Sequence, residues 1–238
     1  PNNNLPFNRP ALDVVLGTFL PRYDLIESRL GWFSWVYRDR EIRGFLKHPK
    51  LLQALGIDLC VSDTPLPSTP GFKNLTDSFP YSSGLSGVRP RALLVARICG
   101  GSWPDLLDRM DRSEFQPLRD TFVEKPSNND RPLTTQNPPR ILFWSDTRVV
   151  VETREIGEAF LVLQKSYLPA WKVRVNGQSL VPQRCDGVLL GLPLPPGPCR
   201  VEMEYRPAGL KLGFFLFLVF WAFFFSWLLF YAGVYLVP

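Results

Sequence analysis

The sequence is poor in the residues that carry most protein chemistry. One histidine, His48, and four cysteines stand in 238 residues. The cysteines form no C-x-x-C and no C-x-x-H pair, which argues against zinc sites of ordinary spacing. A single histidine removes most imidazole-based catalysis, and its place just before a proline, with no Ser or Cys nucleophile nearby in sequence, makes it a poor general base. Lys and Arg are scattered, without the motifs of RNA-recognition, helix-turn-helix or zinc-finger modules, so the net charge of +5 does not point to nucleic acid. No charged residue follows Lys211. The chain opens Pro1-Asn2-Asn3 without an initiator Met, as a processed product or a piece of a longer chain would, and nothing there reads as a secretion signal.

What the chain has in excess is apolar residues near its end. Overall usage is globular, 45% hydrophobic and 21% charged, but eight of the 18 Phe lie beyond Lys211. Leu212–Val237 is 26 residues in which Ser226 is the only polar side chain apart from Trp and Tyr tips. About 20 apolar residues cross a hydrocarbon core, so residues 210–238 predict one membrane-spanning helix. A soluble core helix of that length would keep a polar face. The aromatic excess suits packing against other integral membrane subunits, whether respiratory, photosynthetic, transport or envelope, or against isoprenoid, carotenoid or lipid tails. Phe217, Trp221, Phe224, Trp227 and Phe230 are the candidate packing residues. Arg206 and Lys211 flank the span. Read literally they place residues 1–210 in the cytoplasm, but the positive-inside rule governs short loops rather than domains.

Ahead of the helix two patterns follow one another. Residues 1–125 read as a mixed α/β unit. Arg22–Trp35 has helical apolar spacing. His48–Gly56 reads as a short helix with Pro49 in its first turn and Gly56 as its stop. Ile57–Ser62 and Arg91–Cys99 read as strands, Thr64–Gly87 as a Pro/Ser/Gly loop, and Trp103–Phe115 as a helix capped by Ser102. Residues 126–140 are rich in Pro and Asn and read as a linker or surface loop. Residues 141–209 switch to period two. Trp171-Lys172-Val173-Arg174-Val175 alternates cleanly, Asn176-Gly177 supplies a hairpin turn, and Arg200–Tyr205 alternates again. Alternation predicts an antiparallel sheet or sandwich with Trp171, Val173 and Val175 buried and Lys172 and Arg174 wet. The fold class is therefore α+β: a small α/β unit, an antiparallel β domain, then the helix.

Within that β domain, Tyr167-Leu168-Pro169-Ala170-Trp171-Lys172, the Asn176-Gly177 turn, Pro195-Pro196-Gly197 and the closing Tyr205-Arg206-Pro207 resemble the C-terminal region of YfhO-type bacterial membrane proteins, relatives of the GT-C class of polytopic glycosyltransferases. Leu51–Asp63, Pro90–Val95 and Asp111–Glu124 fit the same pattern, so the resemblance covers roughly residues 45–238. It implies a domain on the extracytoplasmic, periplasmic side of a bacterial inner membrane. The family's catalytic carboxylate belongs to an early loop among many membrane helices, and no position here corresponds to it.

Asp105, Asp108 and Asp111 recur every three residues on one predicted helix face, a spacing that could pair carboxylates for acid–base work or a divalent ion. Interleaved Arg109 and Arg112 favour a solvated face instead. An even cysteine count outside the cytoplasm permits two disulfides among Cys60, Cys99, Cys185 and Cys199, with four buried thiols as the alternative. Asn74-Leu75-Thr76 is a glycosylation sequon, a pattern common by chance. With no nucleophile–base pair, metal cluster or cofactor motif in view, the expected role is a non-catalytic single-pass subunit that stabilises or organises a larger membrane complex. The alternatives are the C-terminal piece of a polytopic glycosyltransferase, and a glycan-binding module in which Trp103 or Trp144 stacks on sugar.

Overall fold

The computed structural model describes residues 48–236 apart from 63–64, 66–67, 69–70, 77, 79–80, 102, 111, 113, 125–130, 134–136 and 156. The helix read at Arg22–Trp35 lies outside the described residues. The first described element is helix α1 (Pro49–Leu55), with proline at its start and Gly56 ending it in the left-handed region at φ 79°. That conformation, which Gly adopts without a Cβ penalty, lets the Gly56 N–H close back onto the last turn. Next come β1 (Leu59–Ser62), β2 (Phe72–Thr76) and β3 (Tyr81–Leu85), paired antiparallel in the order β1-β3-β2. The loop expected over Thr64–Gly87 therefore contains two strands. Neither Phe72–Thr76 nor the Ser- and Gly-bearing Tyr81–Leu85 shows clean apolar alternation, and backbone ladders on both sides of β3 hold them.

The strand expected at Arg91–Cys99 divides into β4 (Ala92–Leu94) and β5 (Arg97–Gly101). Between them the Val95 N–H bonds to the Phe160 carbonyl and the Ala96 N–H to the Arg119 carbonyl, so the chain leaves one neighbour for another. Helix α2 (Trp103–Met110) follows, then β6 (Asp120–Glu124) and the two-residue β7 (Arg131–Pro132). The hairpin β8 (Arg140–Trp144) and β9 (Arg148–Thr153) leads to β10 (Ala159–Ser166), β11 (Trp171–Val175), β12 (Gln178–Leu180), β13 (Gln183–Cys185), β14 (Leu189–Leu194) and β15 (Cys199–Tyr205). The last element is helix α3 (Ala208–Leu236).

A seven-stranded sheet has the order β4-β10-β14-β13-β6-β5-β7 and a five-stranded sheet the order β12-β11-β15-β9-β8. Strands from before residue 126 and after residue 140 share the seven-stranded sheet, so the boundary expected at 126–140 falls inside one sheet. All pairings are antiparallel except β5 with β6, which are joined through α2. The two sheets face each other over an apolar core that includes Leu161, Leu163, Leu190 and Leu192 from one, and Val149, Trp171, Val173, Val201 and Met203 from the other. The opposite face of the seven-stranded sheet, with Phe160, Val162, Phe122 and Leu189, is covered by α1, by Met110 of α2 and by Leu85 of β3. Successive residues of β10 thus enter different cores, which is the period-two geometry of a strand buried on both faces.

On the five-stranded sheet the expected alternation holds: Trp171, Val173 and Val175 are buried, while Lys172 and Arg174 are exposed. The wet face sets Lys172 opposite Glu204, Arg174 opposite Glu202 and Arg200 opposite Glu152. Opposite charges across strands favour this register. Asn176 and Gly177 both have positive φ, 49° and 83°, as a type I′ hairpin turn requires.

Cys185 and Cys199 are not bridged to each other. Both are free thiols, each buried. The first lies in the core on the helical side of the seven-stranded sheet and the second in the core between the sheets, so no bridge can join them without moving a strand. Cys99 is also buried, and the Cys60 side chain lies outside the described residues.

Candidate functional site

Helix α3 leaves the five-stranded sheet almost directly. Strand β15 ends at Tyr205 and the helix begins at Ala208, with Arg206 and Pro207 between. The chain direction is fixed at this joint: the Tyr205 N–H bonds to the Thr147 carbonyl and the Arg206 N–H to the Ala170 carbonyl, both 2.8–2.9 Å. Arg206 also donates to Glu204 at 2.5 Å, a charge-assisted bond that lowers the Glu204 carboxyl and raises the Arg206 guanidinium from their ordinary values.

Within α3, Leu212–Leu229 is long and apolar enough to cross a membrane, and none of it is buried inside the protein. Its rings contact one another along one side. Phe217 meets Trp221 at 6.1 Å between centroids, Trp221 meets Phe224 at 5.5 Å and Phe225 at 5.4 Å, and Phe224 meets Trp227 at 6.5 Å. Steps of three and four residues bring these rings together on one helical surface. Four of the five expected packing residues are therefore neighbours. The side chain of the fifth, Phe230, lies outside the described residues.

The end of the domain nearest α3 is marked by aromatic rings under cations. Strand register sets Trp171 opposite Tyr205 and Arg148 opposite Glu204, so the β8–β9 turn and the turn before β11 flank the start of the helix. Lys165 lies 5.1 Å and Arg91 5.8 Å from the Trp144 ring centre; Arg148 lies 5.7 Å from that of Phe143, and Arg184 4.9 Å from that of Tyr167. Partial burial lowers the Lys165 ammonium, and Asp146, 3.5 Å away, works against that shift. Phe143 is 48% exposed and lies on an edge strand.

Deeper in the seven-stranded sheet lies a charged pair that no local motif announces. Arg89 and Asp186 are fully buried and bonded to each other. Arg89 also donates to the carbonyls of Pro117 (2.9 Å) and Asp120 (2.8 Å). Asp186 accepts from the Thr121 hydroxyl and the Phe122 N–H, both at 2.9 Å. Next to it, Asp120 accepts from Arg97 through both oxygens (3.0 and 2.7 Å) and from the Gln116 N–H (2.8 Å). Burial, and then the Asp186 charge, pushes the Cys185 thiol well above its ordinary value. Each guanidinium nitrogen of Arg89 and each carboxylate oxygen of Asp186 has a partner within the fold, which makes the pair a structural network rather than a poised acid–base couple.

At the end of the sandwich away from α3, a groove of about 440 Å³ opens across the strand ends. Ile98, Leu133 and Phe160 give it apolar walls, and Glu158, Gln178 and Gln183 give it polar groups. The carboxylates singled out on α2 do not join it: Asp105 and Asp108 are exposed, and Asp111 lies outside the described residues. Among the described residues no group of three His, Cys, Asp or Glu side chains is placed to hold a metal ion. His48 precedes α1 without a side-chain capping bond. Asn74 is exposed on β2. Trp144 packs partly against the inter-sheet core, and the Trp103 side chain lies outside the described residues.

Sequence reasoning found the helix and its aromatics. It missed Arg89–Asp186, whose partners are 97 residues apart, and the cation–aromatic rim, which four separate stretches of chain assemble. The only local trace of the rim was Phe143-Trp144 running into the Ser145-Asp146 turn.

Residues 131–217 match the family model described as bacterial membrane protein YfhO. The matched stretch runs from β7 through the five-stranded sheet into the first turns of α3. No curated protein and no solved structure matches the chain.

Proposed function

We propose that this chain is a membrane-anchored, non-catalytic subunit. Its β-rich domain stands on the extracytoplasmic side of a bacterial inner membrane, and its aromatic helix packs against other integral membrane helices to stabilise or organise a larger assembly. The observation that carries this reading is α3: apolar on every side, joined to the sheet by two residues, and bearing a ladder of contacting rings. In lipid, association rests on packing rather than on the hydrophobic effect, and interlocking side-chain surfaces supply it. The anchor also confines the search for a partner to two dimensions. Resemblance to the C-terminal region of YfhO-type proteins supports the extracytoplasmic side.

Purification of the full chain in mild detergent tests the reading. A second membrane protein should co-migrate and should be lost from the Trp221→Ala/Phe224→Ala variant. A chain that migrates alone, before and after cross-linking in the membrane, overturns the proposal. Protease added to right-side-out cells should digest the domain, and digestion only after lysis overturns the sidedness.

A second reading is favoured by the match over 131–217, which takes in the five-stranded sheet and the first turns of α3 together. In it the chain acts as the C-terminal region of a polytopic, glycosyltransferase-like protein and recognises a glycan or a lipid-linked sugar. Upstream membrane helices in the same gene, or glycosyl transfer by the purified chain, would favour it over the first.

A further inference from the structure

The geometry points to a lipid-binding surface on the domain itself: the cation–aromatic rim beside the start of α3 lies in the headgroup layer and binds anionic phospholipid. The inference rests on α3 spanning the bilayer, and distance makes the case. The apolar window starts at Leu212, four residues after the helix begins at Ala208. Four residues are about 6 Å of helix rise. The headgroup region on one side of a bilayer is roughly 5–8 Å deep. Only Arg206 and Pro207 separate Ala208 from Tyr205, at most about 10 Å of chain, so the end of the sheet is held in the headgroup layer or against its outer edge, and the turns flanking it meet lipid headgroups.

The chemistry of those turns fits that layer. Among the described residues, four of the five cation–aromatic pairs lie at this end of the domain, the exception being Arg109 with Phe122. Tyr and Trp favour the membrane interface, and Lys and Arg reach from it to phosphates. The exposed Arg148 and the half-buried Arg91 and Arg184 supply the cations, while Lys165, its side chain 13% exposed, holds the Trp144 ring from within. The acidic groups facing them are Asp146, near Lys165, and Glu204, bonded to Arg206. Phe143 adds an exposed ring on the edge strand beside Arg148. A purely solvent-facing sheet end would have no use for exposed rings at this level, whereas a surface seated on lipid does.

Hydrogen exchange of the full chain in nanodiscs tests the inference, comparing phosphatidylcholine alone with a phosphatidylcholine–phosphatidylglycerol mixture. Amides of residues 143–148 and 167–171 should exchange about fivefold more slowly in the anionic discs, the factor expected for one basic side chain at an anionic surface. The Asn176–Gly177 turn at the far end should not change. The Arg148→Glu/Arg184→Glu variant should lose the lipid dependence while its inter-sheet strands stay protected, and Arg148→Lys/Arg184→Lys should retain it. Equal exchange in both discs with α3 protected overturns the rim and leaves the anchor standing, as does lipid dependence that survives charge reversal. Fast exchange throughout α3 overturns the anchor and the inference with it.

Discussion

The seven-stranded sheet has two cores, one on each face, and they are built differently. The core towards the five-stranded sheet is a meeting of two regular surfaces packed with apolar side chains, with the buried Thr153 beside Cys199 as a polar exception. Ladder hydrogen bonds satisfy the backbone on both sides, so side chains need only fill space. The core on the other face is roofed by two short helices, a small sheet and irregular turns. Those turns bring carbonyls and N–H groups inside without a ladder to receive them. Arg89 and Asp186 serve the backbone where turn and strand meet, the guanidinium on the carbonyls of Pro117 in the turn and of Asp120 at the start of β6, and the carboxylate on the Phe122 N–H, on a strand that pairs with β13 at a single position. Regular surfaces can be packed with hydrocarbon alone; irregular ones need buried polar groups to receive their backbone.

The sharpest way to break this contrast is Asp186→Ala. It leaves the Arg89 charge buried without its carboxylate and strips Thr121 and Phe122 of an acceptor, so domain unfolding should be easier by about 3–5 kcal/mol. Replacing both partners with apolar residues should not restore stability, because the Pro117 and Asp120 carbonyls would still lose their donors. Full recovery in a chemical-denaturation series would show that the pair serves only itself. In the dry core, Trp171→Ala should also cost about 3–5 kcal/mol, as a cavity between two sheets that cannot collapse.

Gly191→Ala probes how closely one strand carries both cores. A Cβ there would meet the Phe160 ring at 2.5 Å and the Cys185 sulfur at 3.2 Å. Phe160 is itself fully enclosed, so overpacking should cost about 1–3 kcal/mol, read as a lowered Tm of the domain.

A pH series sharpens the comparison further. The folded Cys185 thiol titrates above its ordinary value of 9.0 because of burial and the Asp186 charge. Below 9.0 both folded and unfolded chains hold the proton. As pH rises past 9.0 the unfolded chain releases it while the folded chain keeps it, so stability falls, by at most about 1.4 kcal/mol per pH unit for this thiol. Cys199, raised in the same direction by burial, adds to the slope. Cys185→Ala should flatten the alkaline limb, and a slope unchanged in that variant would assign it to other groups. The smallest effect should come from Lys172→Ala on the wet face, within about 0.5 kcal/mol by the same denaturation assay.

How much was legible in advance divides along similar lines. The five-stranded sheet could be read from its letters because one face is dry and one wet, and alternation records that difference residue by residue, from Trp171–Val175 to Arg200–Tyr205. The Asn176-Gly177 turn and the Pro49/Gly56 ends of α1 could be read because they are local backbone requirements. Helix α3 was legible for the same kind of reason: lipid admits no polar face, so composition alone marks it. The sequence by itself thus determined wherever a residue's surroundings follow from its near neighbours. The tertiary structure alone decided the rest. A strand buried on both faces, such as β10, has no alternation to show, and the division of Arg91–Cys99 into β4 and β5 depends on Phe160 and Arg119, far along the chain. The Arg89–Asp186 pair and the rim beside α3 are likewise made by side chains from separate turns, because the energy that fixes them arises only when those turns are brought within contact distance.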